Sequence, residues 1–204
     1  VSERRSRWQR KGAWDGIATP GRFGVQSGDP GLIVTPRHDI SCSFLIGAEG
    51  DQKLAGEVKA RFGLDLPETP RVAAGEAFDF VWAGPSQWLC VSIRPGMPSE
   101  LEAELGPLAA VTDQTDARAV LRLSGPRVRD VLAKGCPIDL HPRAFKRGDT
   151  AITAIAGIGA QIWWPDVDEA FHLAVARSMA GSFWSWLLPS AQEFGVEVMP
   201  AKGG

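Results

Sequence analysis

Three histidines, His38, His141 and His172, and three cysteines, Cys42, Cys90 and Cys136, are the residues of this 204-residue chain best suited to proton transfer, nucleophilic attack or metal binding. Such chemistry needs convergence, a base beside a nucleophile or several ligands around one ion. None of the histidines sits in a catalytic motif. His38 ends a loop-rich segment, and His172 follows Phe171 in an alternating strand pattern, where an imidazole is ordinarily structural. The densest cluster of reactive types is Gly135-Cys136-Pro137-Ile138-Asp139-Leu140-His141-Pro142-Arg143. Its cysteine and histidine, with proline between them, match no common zinc spacing, so it reads as a rigid polar loop at a helix end.

Asp113 and Asp116 flank a turn in Thr112-Asp113-Gln114-Thr115-Asp116-Ala117-Arg118, where short polar side chains satisfy free backbone groups. The chain has no GxGxxG after a strand, no GxxxxGK[ST], no HExxH and no GxSxG, so nucleotide, metalloprotease and hydrolase chemistry lack their machinery. No residue is therefore read as catalytic, cofactor-binding or metal-ligating.

Eight tryptophans against no tyrosine are the other unusual feature. Tryptophan fills cores and anchors interfaces, and composition does not separate the two. Position points to interfaces. Phe183-Trp184-Ser185-Trp186-Leu187-Leu188 is apolar nearly all round where a surface helix shows one stripe, so Trp184, Trp186 and Leu187 are expected to meet a partner. Trp8 and Trp14, set among arginines near the start, suit a strap ordered on a neighbouring chain. Pro189 is expected to end or kink the last helix, because it removes a donor and crowds the preceding turn.

The elements that carry these residues follow from periodicity. Residues 1–38 read as an extended arm: five basic residues fall within the first eleven, and Gly16, Pro20, Gly21, Gly24, Gly28, Pro30, Gly31 and Pro36 break any regular element. A body spans 39–204. It opens with a strand through Cys42, Phe44 and Ile46 and a helix bearing Leu54, Val58 and Phe62 before Gly63. Strands at 78–82 and 88–93 are joined by Gly84-Pro85-Ser86, and Pro98-Ser99-Glu100 opens a second helix. The second half repeats the order: a strand at 120–123, a helix opened by Ser124-Gly125-Pro126, strands near 150–154, 161–164 and 171–175, and a final helix from about Met179.

Setting Ile46 against Leu123, Trp82 against Trp164, Trp88 against Phe171 and Met97 against Met179 aligns the halves, about 39–110 and 111–196. The fold class is α+β, two ferredoxin-like β-α-β-β-α half-units with antiparallel sheets.

Composition excludes several classes. At 44% hydrophobic and 23% charged residues the chain is globular in type, and its length buries roughly 70% of the unfolded surface. With 22 basic against 24 acidic residues, no overall field draws it to nucleic acid or anionic membrane. Odd, widely spaced cysteines argue against a disulfide framework and fit a reducing compartment. No apolar run is long enough to span a membrane, and no apolar segment of the secretory kind follows the arginine-rich start, so a cytoplasmic location is expected.

The run DQTDARAVLRLSGPRVRDVLAKGCPIDLHPRAF, residues 113–145, closely resembles the sarcosine oxidase gamma-subunit family. WAGPSQWLCVS at 82–92 and FHLAVARSMAGSFWSWL at 171–187 agree with it, so the resemblance covers most of the chain beyond the arm, with Pro189 a local departure. It implies a fold akin to the folate-binding domain of aminomethyltransferases. It also implies a non-catalytic place in a heterotetramer of sarcosine catabolism, beside an alpha subunit with NAD and a tetrahydrofolate site, a beta subunit with FAD and FMN, and a zinc-binding delta subunit. The implied reaction is oxidative demethylation of sarcosine to glycine, with tetrahydrofolate as one-carbon acceptor and oxygen reduced to hydrogen peroxide.

Three other readings stay open at this level. The chain also resembles the corresponding subunit of an N-methylglutamate dehydrogenase-type complex. A free-standing folate-dependent aminomethyltransferase would use the polar turn at 113–118 as a pterin site. An interaction module unrelated to amines would also lack catalytic motifs.

Overall fold

The computed structural model describes residues 11–48, 50, 52–76, 78–94, 96–166 and 169–203; Trp8 and the basic residues before Lys11 lie outside them. In chain order the elements are β1 (Gly21–Phe23), β2 (Leu32–Arg37), β3 (Ser41–Ile46), α1 (Gln52–Phe62), β4 (Val72–Ala74), β5 (Asp79–Gly84), β6 (Gln87–Ser92), α2 (Met97–Leu105) and β7 (Ala110–Asp113). There follow β8 (Arg118–Ser124), α3 (Val128–Ala133), β9 (Thr150–Ile155), β10 (Ile158–Trp163), β11 (Phe171–Ala176), α4 (Ala180–Ala191) and β12 (Val196–Val198).

Local pattern decides the helices. α1 buries Leu54 and Val58 one turn apart and ends at Gly63, whose left-handed backbone lets its N–H donate to the Lys59 carbonyl. α2 carries proline in its first turn and buries Met97, Leu101 and Leu105 along one stripe. α4 buries Ala180, Phe183, Trp184, Leu187 and Ala191, and it runs through Pro189 before tightening into a 3-10 turn over Gln192–Phe194. The proline therefore sits inside the last turn rather than ending the helix.

The strands form two sheets. The five-stranded sheet has order β4-β5-β6-β3-β7 with every neighbouring pair antiparallel. The seven-stranded sheet has order β1-β12-β2-β8-β11-β10-β9 and is antiparallel except where β12 runs parallel to β2. Each half runs β-α-β-β-β-α-β. In the first, β5-β6-β3-β7 is the ferredoxin-like order, with β4 added at one edge. The second repeats it as β10-β11-β8-β12, with β9 added at the edge and β2 wedged between β8 and β12.

The two sheets lie face to face, each with its helices outside. Alternation sorts the side chains: on β5 and β6, Phe80 and Cys90 join Leu54, Val58, Met97, Leu101 and Leu105, whereas Val81 and Leu89 meet Val120, Trp163 and Ala174 of the other sheet. On β8, Leu121 and Leu123 turn outward to the α3 and α4 side chains. The backbone stitches the sheets at one edge, with Val72 N–H donating to Gly148 O at 2.8 Å and Thr150 N–H to Pro70 O at 3.1 Å.

Two expectations need correction. Residues 11–38 are not an extended arm: β1 and β2 are strands of the larger sheet, and Trp14 is 1% exposed in its core. Glycine and proline hid the strand because Pro36 lies where its missing N–H does no harm. The groups of β2 that face β12 are those of Leu32, Val34, Pro36 and His38, yet the β12 ladder ends at Val34–Val198, and Pro36 contributes only its carbonyl, to Lys202 N–H. The first half also extends to Asp113, because β7 pairs with β3.

Candidate functional site

A cleft of about 440 Å³ opens where the two half-units and the segment before β2 meet. Its floor is apolar, made by Ile40, Cys42 and Val120, all buried. Its walls are basic. Arg118 begins β8, Arg177 follows β11, Arg37 ends β2 and His38 comes directly after it.

The turn at 113–118 forms one side, and its polar groups are largely occupied with holding it. Asp113 Oδ1 accepts from Thr115 N–H at 2.8 Å, the Thr115 hydroxyl accepts from Cys42 N–H at 3.1 Å, and Gln114 N–H donates to Cys42 O at 2.8 Å. The opposite side is the turn at 12–18. Asp15 Oδ2 accepts from Gly12 N–H at 2.7 Å, and Trp14 N–H donates to His38 Nε2 at 3.3 Å. That bond makes Nε2 an acceptor, so the neutral imidazole carries its proton on Nδ1, which faces Asp15 Oδ1 at 3.6 Å. A Cβ on Gly12 would collide with the same ring, which explains glycine there.

The arginines differ in how far they are satisfied. Arg37 grips Asp39 with both arms of its fork, at 2.7 and 3.0 Å. Arg177 donates to Lys11 O at 2.6 Å and lies 3.9 Å from Asp116. Arg118 is half-buried, and its Nε is buried with no hydrogen-bond partner among the described residues. Burial pushes the neighbouring Cys42 thiol up to about 12, partly offset by the Arg118 charge, and Cys90 is raised by burial too. Neither supplies a thiolate near neutral pH, so the cleft offers no sulfur nucleophile.

The other candidates do not converge on this site. His172 packs between the sheets, its ring 5.5 Å from that of Trp163. His141 is exposed in the 135–143 loop, where its Nδ1 accepts from Arg143 N–H at 3.2 Å and its N–H donates to Asp139 Oδ1 at 2.8 Å. Arg129 ties that loop down by donating to the Leu140 and Phe145 carbonyls while stacking 4.8 Å from the Trp164 ring. Among the described residues no group of three or more His, Cys, Asp or Glu is placed to hold a metal ion.

The expected interface residues are mostly internal. Trp14 and Leu187 are each 1% exposed and Trp184 is 9% exposed, all in the core under the larger sheet. That leaves almost none of their surface for another chain. The apolar breadth of α4 is explained by the sheet beneath it together with Trp186, which is half-buried against Phe183 and the close backbone of Gly135. Trp8 lies outside the described residues. The cleft itself was missed because its walls come from four distant segments; only the turn at 113–118 signalled it.

Paired ferredoxin-like half-units, four layers deep, define the class of protein. Among solved structures this architecture is shared by a chain of the heterotetrameric sarcosine oxidase from Corynebacterium sp. U-96, with a TM-score of 0.78 at 24% identity over 91% of this chain and 96% of that one. Glycine cleavage system aminomethyltransferase T from Bartonella henselae shares it too, with a TM-score of 0.61 at 14% identity over 83% of this chain and 48% of that one. The chain belongs to the sarcosine oxidase, gamma subunit family, whose model matches residues 46–193. It is 38% identical over 176 residues to sarcosine oxidase subunit gamma of an Arthrobacter species, covering 83% of this chain and 85% of that one. It is 34% identical over 139 residues to the same subunit of Corynebacterium sp. strain P-1, covering 66% and 68%.

Proposed function

We propose that this chain is the gamma subunit of a heterotetrameric sarcosine oxidase and acts in it as a scaffold. The observation that carries the reading is the 38% identity to a named gamma subunit along 85% of that relative's length. Its partners are the alpha, beta and delta subunits. FAD, FMN, NAD, tetrahydrofolate and zinc belong to them, and the complex is cytoplasmic. None of the described helices is long and apolar enough to cross a membrane.

The reaction of the complex removes two electrons and a proton, together a hydride, from the N-methyl group of sarcosine, leaving an iminium ion. Its carbon passes to tetrahydrofolate as glycine departs, and the electrons reduce oxygen to hydrogen peroxide. Flavin supplies the redox chemistry when bound. Flavin and dinucleotide are assigned to the partner subunits, and the three cysteines of this chain are buried. What this chain contributes is a stiff body, two sheets locked by a shared core.

The test is purification of the tagged chain from its native host, followed by a visible absorption spectrum and mass spectrometry of the bound chains. Stoichiometric recovery of flavin-bearing subunits with sarcosine-dependent peroxide release is expected. A colourless chain recovered alone would refute the assignment.

A further inference from the structure

We propose that the cleft at the seam is a binding site for a small oxyanion, a carboxylate or phosphate group carried on a compact apolar body, with Arg118 as its anchor. Lys11, Arg37, Arg118 and Arg177 border the cleft against Asp15 and Asp116, so cations are in excess. Arg37 is neutralised by Asp39, and Arg177 is held by the Lys11 carbonyl beside Asp116. Arg118 is different: its buried Nε donates to nothing among the described residues. A guanidinium never sheds its charge, and a buried N–H without an acceptor is costly, so an arginine placed this way calls for an oxygen acceptor from outside the chain. The planar fork fits two oxygens of one carboxylate or phosphate.

The floor sets the rest of the ligand. Ile40, Cys42 and Val120 offer a dry surface beneath the cations, and about 440 Å³ is the size of a small-molecule pocket. The Cys42 thiol, raised by burial, offers no thiolate to a ligand there, and His38 Nε2 is engaged by Trp14 N–H.

The test is calorimetric titration and thermal melting of the purified full chain with inorganic phosphate and with benzoate, at ionic strength fixed with sodium chloride. At a hundredfold excess over Kd, either anion should raise Tm by about 5–10 °C above the chloride control. Arg118→Met should weaken binding at least about tenfold and remove that rise. Without anion it should melt no lower than the parent, because a buried donor without an acceptor has been removed. Arg118→Lys, which keeps charge but loses the fork, should fall between the two. Arg143→Met, at an exposed position outside the cleft, should behave as the parent. Equal melting in phosphate and chloride, an Arg118→Met chain that still binds like the parent, or one too unstable to fold would each overturn the proposal.

Discussion

Replacing Trp14 by alanine should unfold the chain more readily than almost any other change in the segment before β3. The indole is 1% exposed, its Nε1–H donates to Val120 O at 2.9 Å, and its ring stands 6.2 Å from that of Trp184. Truncating a buried tryptophan costs about 3–5 kcal/mol in lost transfer energy and cavity, and the hydrogen bond lost from the Val120 carbonyl adds about 1 kcal/mol. A total near 5 kcal/mol, at about 2–4 °C per kcal/mol for a chain of this size, lowers Tm by roughly 10–20 °C. Trp14→Phe keeps most of the packing but loses the donor, so it should lose about 2 kcal/mol. Far-UV circular dichroism is the suitable probe for thermal and urea unfolding, because seven other tryptophans dominate the fluorescence. A Trp14→Ala chain that melts within about 2 °C of the parent yet loses a partner subunit would refute the reasoning, since that is how a surface strap behaves.

Two further changes probe other parts of the fold. Burial raises the Asp79 carboxyl to about 6 from 3.8, although a hydrogen bond from the Gly75 backbone favours the anion. With the folded pKa the higher, the unfolded chain gives up its proton first, so this residue subtracts stability progressively from about pH 4 to 6 and by a constant amount above. Asp79→Asn should therefore stabilise the chain by about 1–3 kcal/mol at pH 7.5 and by little near pH 4; urea titrations showing equal gains at both would contradict this. Gly125 holds a φ of 110°, and a Cβ there would lie 2.6 Å from Gly31 O, just where Arg127 N–H donates to that carbonyl at 2.9 Å. Gly125→Ala should cost about 2–4 kcal/mol in urea titration, and a neutral result would show that the β8–α3 turn does not depend on its close approach to β2.

The elements most legible in the sequence are those whose partners are near in the chain. The four-residue spacing of Leu54 and Val58, the hairpin turn at Gly84-Pro85-Ser86 and the repeat of Trp82 by Trp164 all report local geometry. β1, β4, β7 and β12 escaped because strands of three or four residues carry no readable period, and each exists only because a distant neighbour offers a ladder. The 113–118 turn was readable as a turn, from Asp113 and Asp116, but nothing local showed that Arg118 would open onto a cleft bordered by Lys11 and Arg177.

The amino-acid sequence by itself determined the helices, the hairpin at Gly84-Pro85-Ser86, the repeated α+β halves and the family. Only the tertiary structure decided that the proline- and glycine-rich segment supplies a strand between β8 and β12, that Trp14, Trp184 and Leu187 face inward, and that four distant cations meet at one seam. The reason is physical: periodicity records which face of an element is apolar, whereas burial and electrostatic convergence depend on which other element comes to cover it.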